Sequence, residues 1–199
     1  MCGILGRVSV GGKRYNQNDF NIFNESLDLQ SHRGPDGRGV FENDKFIFGH
    51  RRLSVIDLES HSDQPMISRC SNYVLVFNGE IYNYLELKQD LLDKGYIFDT
   101  HSDTEVLLNS FIEYGIDCIN KFIGMFAFCI FDKNKNETYL VRDRLGVKPL
   151  YYAKNDKEII FSSEIKSILT IDKSYIRLNK QAISSYMSFR YPILNDTFF

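Results

Sequence analysis

MFAFCIFDKNKNETYLVRD, residues 125–143, decides the fold class. MFAFCIFD (125–132) is dense in aromatic and branched side chains and predicts a strand, ETYLVRD (137–143) predicts a second, and the polar KNKN (133–136) between them predicts the turn that joins them. EIIFSSE (158–164) reads as another strong strand, and GVKPLYY (146–152) carries a short one. Upstream, YVLVFN (73–78) is a continuous apolar run that predicts a buried strand. GILGRVSV (3–10) predicts a strand at the very N-terminus, and short strands follow near 39–43, 45–51 and 53–57. Between these lie helical signals. Phe20, Phe23 and Leu27 recur at helical spacing over about 18–31. Asn83 with Glu86 reads as a capping box ahead of Tyr84, Leu87 and Leu91, with Gly95 as the stop. Ser102 with Glu105 opens a helix over about 103–114 that Gly115 ends. Residues 164–170 and 179–188 also look helical, and HRGPDGRG (32–39) reads as loop. Many strands with helices clustered mid-chain, rather than strict βαβ alternation, give an α+β layered domain of antiparallel sheets packed with helices.

Composition excludes several function classes. The chain has 199 residues, 43% hydrophobic and 25% charged, enough for one sizeable core. A formal net charge of −2 gives no basic surface for nucleic acid or anionic membrane. No apolar run reaches about 18 residues, so no membrane span is expected, and no signal peptide is visible. Cys2, Cys70, Cys118 and Cys129 are widely and irregularly spaced without a C-x-x-C pair, so no metal site is expected, and a reduced, cytoplasmic protein is the plain reading. Cys118 and Cys129 sit in apolar surroundings and read as core thiols.

Cys2 follows Met1 directly. Loss of Met1 would give it a free α-amine with a reference pKa of about 7.7–8.0, so thiol nucleophile and base would share one residue. Alone, such a cysteine is more simply an incidental residue near a start codon. Arg52, between two strand-like runs, could hold a carboxylate in a bidentate pair or could form a surface salt bridge. Asn78-Gly79-Glu80 follows a buried strand; Asn-Gly usually makes a tight turn, yet such a turn would also aim an amide and a backbone N–H together, as an oxyanion hole requires. Asp103 stands at a helix start, where a carboxylate is favoured in any case. RDRLG (142–146) reads as a loop organised by its paired charges.

Together these segments resemble the class II glutamine amidotransferases, which are N-terminal-nucleophile hydrolases, and within them the asparagine synthetase branch. The matching segments are MCGILG (1–6), HRGPDGRG (32–39), GHRRLSVIDL (49–58), FNGEIYNY (77–84), HSDTEVLL (101–108), GMFAFCIFD (124–132), VRDRLGVKPLYY (141–152) and FSSEIKSIL (161–169), in order over nearly the whole chain. RGPD and NGEIYN decide the branch. The resemblance implies a four-layer αββα sandwich of two mainly antiparallel sheets. It implies that Cys2 attacks the glutamine side-chain carbonyl while Asn78 and Gly79 stabilise the oxyanion. Arg52, with Leu53, Ser54, Val55 and Ile56, would bind the substrate's carboxylate end, and Asp103 with Glu80 its ammonium. No cofactor is implied for the glutaminase half; ATP and magnesium belong to a synthetase domain. The resemblance divides the chain into an amidotransferase domain over 1–178 and the beginning of a linker or truncated synthetase domain over 179–199, and no Gly-rich phosphate-binding loop is present. The expected partners are glutamine, the synthetase domain and, as an open option, a second copy of the chain. The ammonia would serve to amidate aspartate. The alternatives are a sugar-acid acceptor in surface-polysaccharide synthesis, or a non-catalytic regulatory module with a glutaminase-like fold.

Overall fold

A computed structural model describes residues 1–54, 63–193 and 197–199. Among the described residues, nine strands form two antiparallel sheets. The first contains β1 (Gly3–Ser9), β2 (Gly37–Glu42), β3 (Phe46–Arg52), β8 (Tyr151–Lys154) and β9 (Glu158–Ser162), in the order β2-β3-β1-β9-β8. The second contains β4 (Met66–Ile67), β5 (Tyr73–Ile81), β6 (Gly124–Asp132) and β7 (Glu137–Arg142), in chain order. The helices are α1 (Gln17–Asp28), α2 (Tyr84–Asp93), α3 (Asp103–Tyr114), α4 (Ile165–Ile171) and α5 (Lys180–Phe189).

Side-chain alternation along each strand sorts the apolar residues into three layers of contact. Ile4 and Val8 on β1, Phe46 and Phe48 on β3, Val74 and Val76 on β5, and Ala127, Cys129 and Phe131 on β6 pack together between the sheets. Phe46 and Phe131 meet across this layer with ring centroids 4.2 Å apart. The alternate residues face outward. Leu5 and Ile47 pack with Phe23 and Leu27 of α1. Leu75, Phe77, Phe128 and Ile130 pack with Leu87, Leu91, Val106, Leu107 and Phe111 of α2 and α3. The result is the αββα sandwich, and each large side chain withdrawn from water adds roughly 1.5–3 kcal/mol to what holds it together. Cys118 and Cys129 are buried in it, and burial raises both thiol pKa values, that of Cys118 to about 12.

Several local expectations are corrected. The strand at 73–78 does not end in an Asn-Gly turn: β5 runs on through Asn78 and Gly79 to Ile81, paired with β6 throughout. Glycine is needed at 79 for space, because a Cβ there would lie 2.5 Å from the Met125 carbonyl oxygen and 2.7 Å from Phe126 Cα. The strand expected at 53–57 is absent at Leu53 and Ser54, and the remainder lies outside the described residues. The strand expected within 146–152 begins only at Tyr151, because the preceding loop wraps around Asp143, which accepts the N–H groups of Val147 and Lys148. Its neighbour Arg142 donates to the carbonyls of Lys148 and Gly146, so the charges of RDRLG do organise that loop. The box at Ser102 is also modified: its hydroxyl accepts the Glu105 N–H, but the Glu105 carboxylate reaches back to the N–H groups of Asp99 and Thr100. A capping box at Asn16 and Asp19 starts α1 instead, an unread signal.

Asn83 makes no cap. Its amide bridges to the segment before β6, donating to the Lys121 carbonyl at 3.0 Å and accepting from the Ile123 N–H at 2.9 Å. Asn83→Ala should therefore cost about 1–2 kcal/mol in denaturant unfolding and speed hydrogen exchange at Ile123, while α2 itself stays protected. Fraying of α2 with no change at Ile123 would restore the capping role.

Candidate active site

Between the sheets the contact layer is apolar along most of its length and turns polar at one end. On β3 the inward residues run Phe46, Phe48, His50, Arg52; on β5 they run Val74, Val76, Asn78; on β6 they begin with Met125. Ile4 lies opposite His50 in the β1–β3 register, and Cys2 continues the inward set just before β1. Of these, Cys2, His50, Arg52, Asn78 and Met125 line a cavity of about 260 Å³, together with Leu53, Gln64, Gly79, Glu80, Asp103, Thr104 and Lys148.

The Cys2 thiol is held by one backbone unit. The Leu53 N–H points at Sγ from 3.4 Å and the Leu53 carbonyl lies 3.7 Å away. From the other side, Arg33 donates from Nε to the Cys2 carbonyl at 3.0 Å and pairs with Glu164, which also takes His32 at 2.7 Å. The Ser163 hydroxyl accepts the Ile4 N–H. The segments HRGPDGRG and FSSE thus act as a clamp on the chain at Cys2. Met1 also lines the cavity, and while it is attached the nitrogen of Cys2 is a peptide N–H rather than a free amine.

Beyond β4, the edge of β5 is open toward the cavity. The Phe126 backbone is engaged with Asp143 on its far side, so Gly79, its register partner, turns its own N–H away from β6. On that same edge the Phe77 N–H donates to Gln64 Oε1 at 2.6 Å and the Ile81 N–H to Asp103 Oδ2 at 3.0 Å. The Gly79 N–H lies between them, beside the side-chain amide of Asn78, whose Nδ2 is buried and has no partner among the described residues. Two donors at one cavity wall are the elements an oxyanion site uses.

Charge is segregated. Arg52, 8% exposed, pairs through Nη1 with Asp63 Oδ1 at 2.6 Å, so its guanidinium already holds a carboxylate. On the other side, burial raises the Asp103 carboxyl pKa to about 6, with the Glu80 charge adding to the rise and the Ile81 N–H opposing it. His50 is 1% exposed, and burial lowers its pKa to about 3, with the Arg52 charge adding to the depression. Of the residues expected from the sequence, Cys2, Arg52, Leu53, Asn78, Gly79, Glu80 and Asp103 meet in this cavity. Ser54 is not among its lining residues; its N–H goes to Asp36 Oδ2 at 2.8 Å. Val55 and Ile56 lie outside the described residues.

A family model described as a glutamine amidotransferase domain matches residues 1–199. The chain belongs to the glutamine amidotransferase family. The amidotransferase domain is 40% identical to asparagine synthetase [glutamine-hydrolyzing] 1 of Bacillus subtilis over 96% of this chain and 30% of that protein. It is 38% identical to putative asparagine synthetase [glutamine-hydrolyzing] 2 of Methanocaldococcus jannaschii over 100% of this chain and 42% of that protein. The domain therefore spans less than half the length of these relatives. Among solved structures it is similar to the glutamine phosphoribosylpyrophosphate amidotransferase of Bacillus subtilis, with a TM-score of 0.69 and 24% identity over 85% of this chain and 43% of that one, a likeness of fold.

Sequence reading missed His50, Gln64 and Lys148 in the cavity wall. His50 had a signal, since a residue two before Arg52 on a strand shares its face. Gln64 and Lys148 lie in loops, where no periodicity points the side chain.

The raised pKa of Asp103 makes a test with a definite sign. Its unfolded value is near 3.8 and its folded value about 6, so its contribution to stability is full below the lower value and is lost as pH rises through 6. Asp103→Asn should stabilise the domain at pH 7.5 by on the order of 2 kcal/mol and change little at pH 4, as read by denaturant unfolding at both values. A loss of equal size at both would mean that the carboxylate is held by partners rather than burdened by burial.

Proposed function

We propose that Cys2, freed of Met1, is the nucleophile that hydrolyses glutamine to glutamate and ammonia. Its α-amine, directly or through a water, takes the thiol proton as Sγ bonds to the side-chain carbon. The carbonyl oxygen becomes an oxyanion held by Asn78 Nδ2 and the Gly79 N–H. Return of the proton to nitrogen expels ammonia and leaves a thioester, and water then cleaves it to glutamate and restores the thiol. Arg52, with Leu53 and the segment after it through Ser54, Val55 and Ile56, takes the α-carboxylate in place of Asp63. Asp103 and Glu80 take the α-ammonium. This half-reaction runs without a cofactor.

The observation that carries the reading is the buried, unpartnered Asn78 Nδ2 in the same cavity as the Cys2 thiol. A buried donor without an acceptor costs about 1–3 kcal/mol, a cost repaid when an oxyanion forms there.

The ammonia, on this proposal, amidates aspartate at the expense of ATP, with magnesium, in a synthetase portion that follows a boundary near residues 178–179. The names of the relatives support this acceptor. So does an apolar surface on and after α5, where Met187 is 70%, Phe189 55% and Tyr191 60% exposed; a partner domain would cover it. Free cysteines throughout the described chain suit a reducing cytoplasm.

Steady-state kinetics test the assignment. Cys2→Ala should abolish ammonia release while glutamine still binds. Asn78→Ala should lower kcat about a hundredfold or more, with a much smaller change in KM. Turnover by Cys2→Ala, or a purely KM effect of Asn78→Ala, would refute the assigned roles.

A further inference from the structure

A second cavity atom is also buried and unpartnered among the described residues: Nε2 of His50. His50 and Asn78 come from different sheets and line the same cavity at the polar end of the contact layer. The Phe77 backbone is the hydrogen-bonding group that acts on the His50 ring, opposing the fall in its pKa that burial causes. The Phe77 N–H is already given to Gln64 Oε1 at 2.6 Å, so the carbonyl is the group that receives the imidazole. With that carbonyl as acceptor and Nε2 unpartnered, the tautomer assigned to the ring is Nδ1–H, and Nε2 presents a lone pair. The ring is fully buried and stays neutral throughout the working range, with a pKa of about 3. The wall thus contains one orphaned donor, Asn78 Nδ2, and one orphaned acceptor, His50 Nε2. A carboxamide carries the matching acceptor and donor on one carbon.

We propose that His50 accepts a hydrogen bond from the side-chain amide nitrogen of glutamine and so makes the site select a carboxamide over an ester or a carboxylate. This rests on the glutamine-hydrolysing reading above and adds the group that reads the leaving nitrogen. A γ-ester offers no N–H and sets oxygen lone pairs against Nε2. The γ-carboxylate of the product glutamate does the same with a full charge, and a neutral, buried imidazole has no proton to give it. The amide is thereby favoured on entry and the product disfavoured, since a site with a buried polar group rejects a ligand that leaves that group unpaired.

The experiment compares kcat/KM for glutamine and for glutamate γ-methyl ester, which pass through the same Cys2 thioester, in the native protein and in His50→Leu. The ratio of glutamine to ester should fall about tenfold or more in the variant, with the loss falling on glutamine. An equal loss for both substrates, or no change in either, would give His50 a structural role and overturn the proposal. If His50→Leu does not fold, calorimetry on Cys2→Ala decides with His50 in place. Glutamine should bind at least about tenfold more tightly than the ester or glutamate, and equal affinities would overturn the proposal. A native protein that hydrolyses neither substrate would defeat the glutamine-hydrolysing reading itself, and the proposal with it; failure of the ratio alone defeats only the role of His50.

Discussion

Face-to-face packing of the two sheets is the constraint on which the rest depends. Strand alternation forces every second residue of β1, β3, β5 and β6 into one shared layer, and that layer must exclude water along most of its length. Phe46, Phe48, Val74, Val76, Ala127 and Phe161 satisfy this at one end. The same alternation, carried two to four residues further, brings His50, Arg52 and Asn78 into the layer where it opens, beside Cys2. No loop has to place these groups: they continue a core. Rigidity follows for His50, Arg52 and Asn78, because each stands on a strand that is paired on both sides or packed against the other sheet.

The electrostatics of the cavity follow from the same burial. A carboxyl held above its ordinary range and an imidazole held far below its own stand within one small space, and in both cases burial is the largest cause. The groups that carry charge are Arg52, paired with Asp63, and Asp103, beside Glu80, while Asn78 and His50 are neutral dipoles in the same cavity. An amino-acid head with both charges and a neutral side-chain amide is the ligand this set of groups complements.

Much of this was legible in the sequence. The strands rich in aromatic and branched residues, and the helices at 103–114 and after Asn83, are strong local signals, and the ordered motifs gave the layered architecture and the residues Cys2, Arg52, Asn78, Gly79 and Asp103. What escaped was set by tertiary contact. Asn-Gly at 78–79 has the chemistry of a turn, yet pairing with β6 keeps it in a strand, and the glycine is there because the Met125 carbonyl crowds it. Asn83 has the chemistry of a cap, yet its amide is claimed by backbone at 121–123, some forty residues on in the chain. Gln64 is an unremarkable loop residue until the fold sets its amide between Phe77 and Thr104. Phe161 fills the space above Gly6, where a Cβ would come within 2.1 Å of its ring; neither sequence segment announces the other.

The central claim is that an oxyanion forms at the end of β5 when Cys2 attacks. A glutamine analogue with a ketone in place of the side-chain amide should add reversibly to Cys2 and give a tetrahedral adduct that a crystal structure can show. The adduct oxygen is predicted to lie about 2.7–3.1 Å from both Asn78 Nδ2 and the Gly79 N–H. An adduct on another cysteine, or an oxygen turned away from Asn78 and Gly79, would contradict the account.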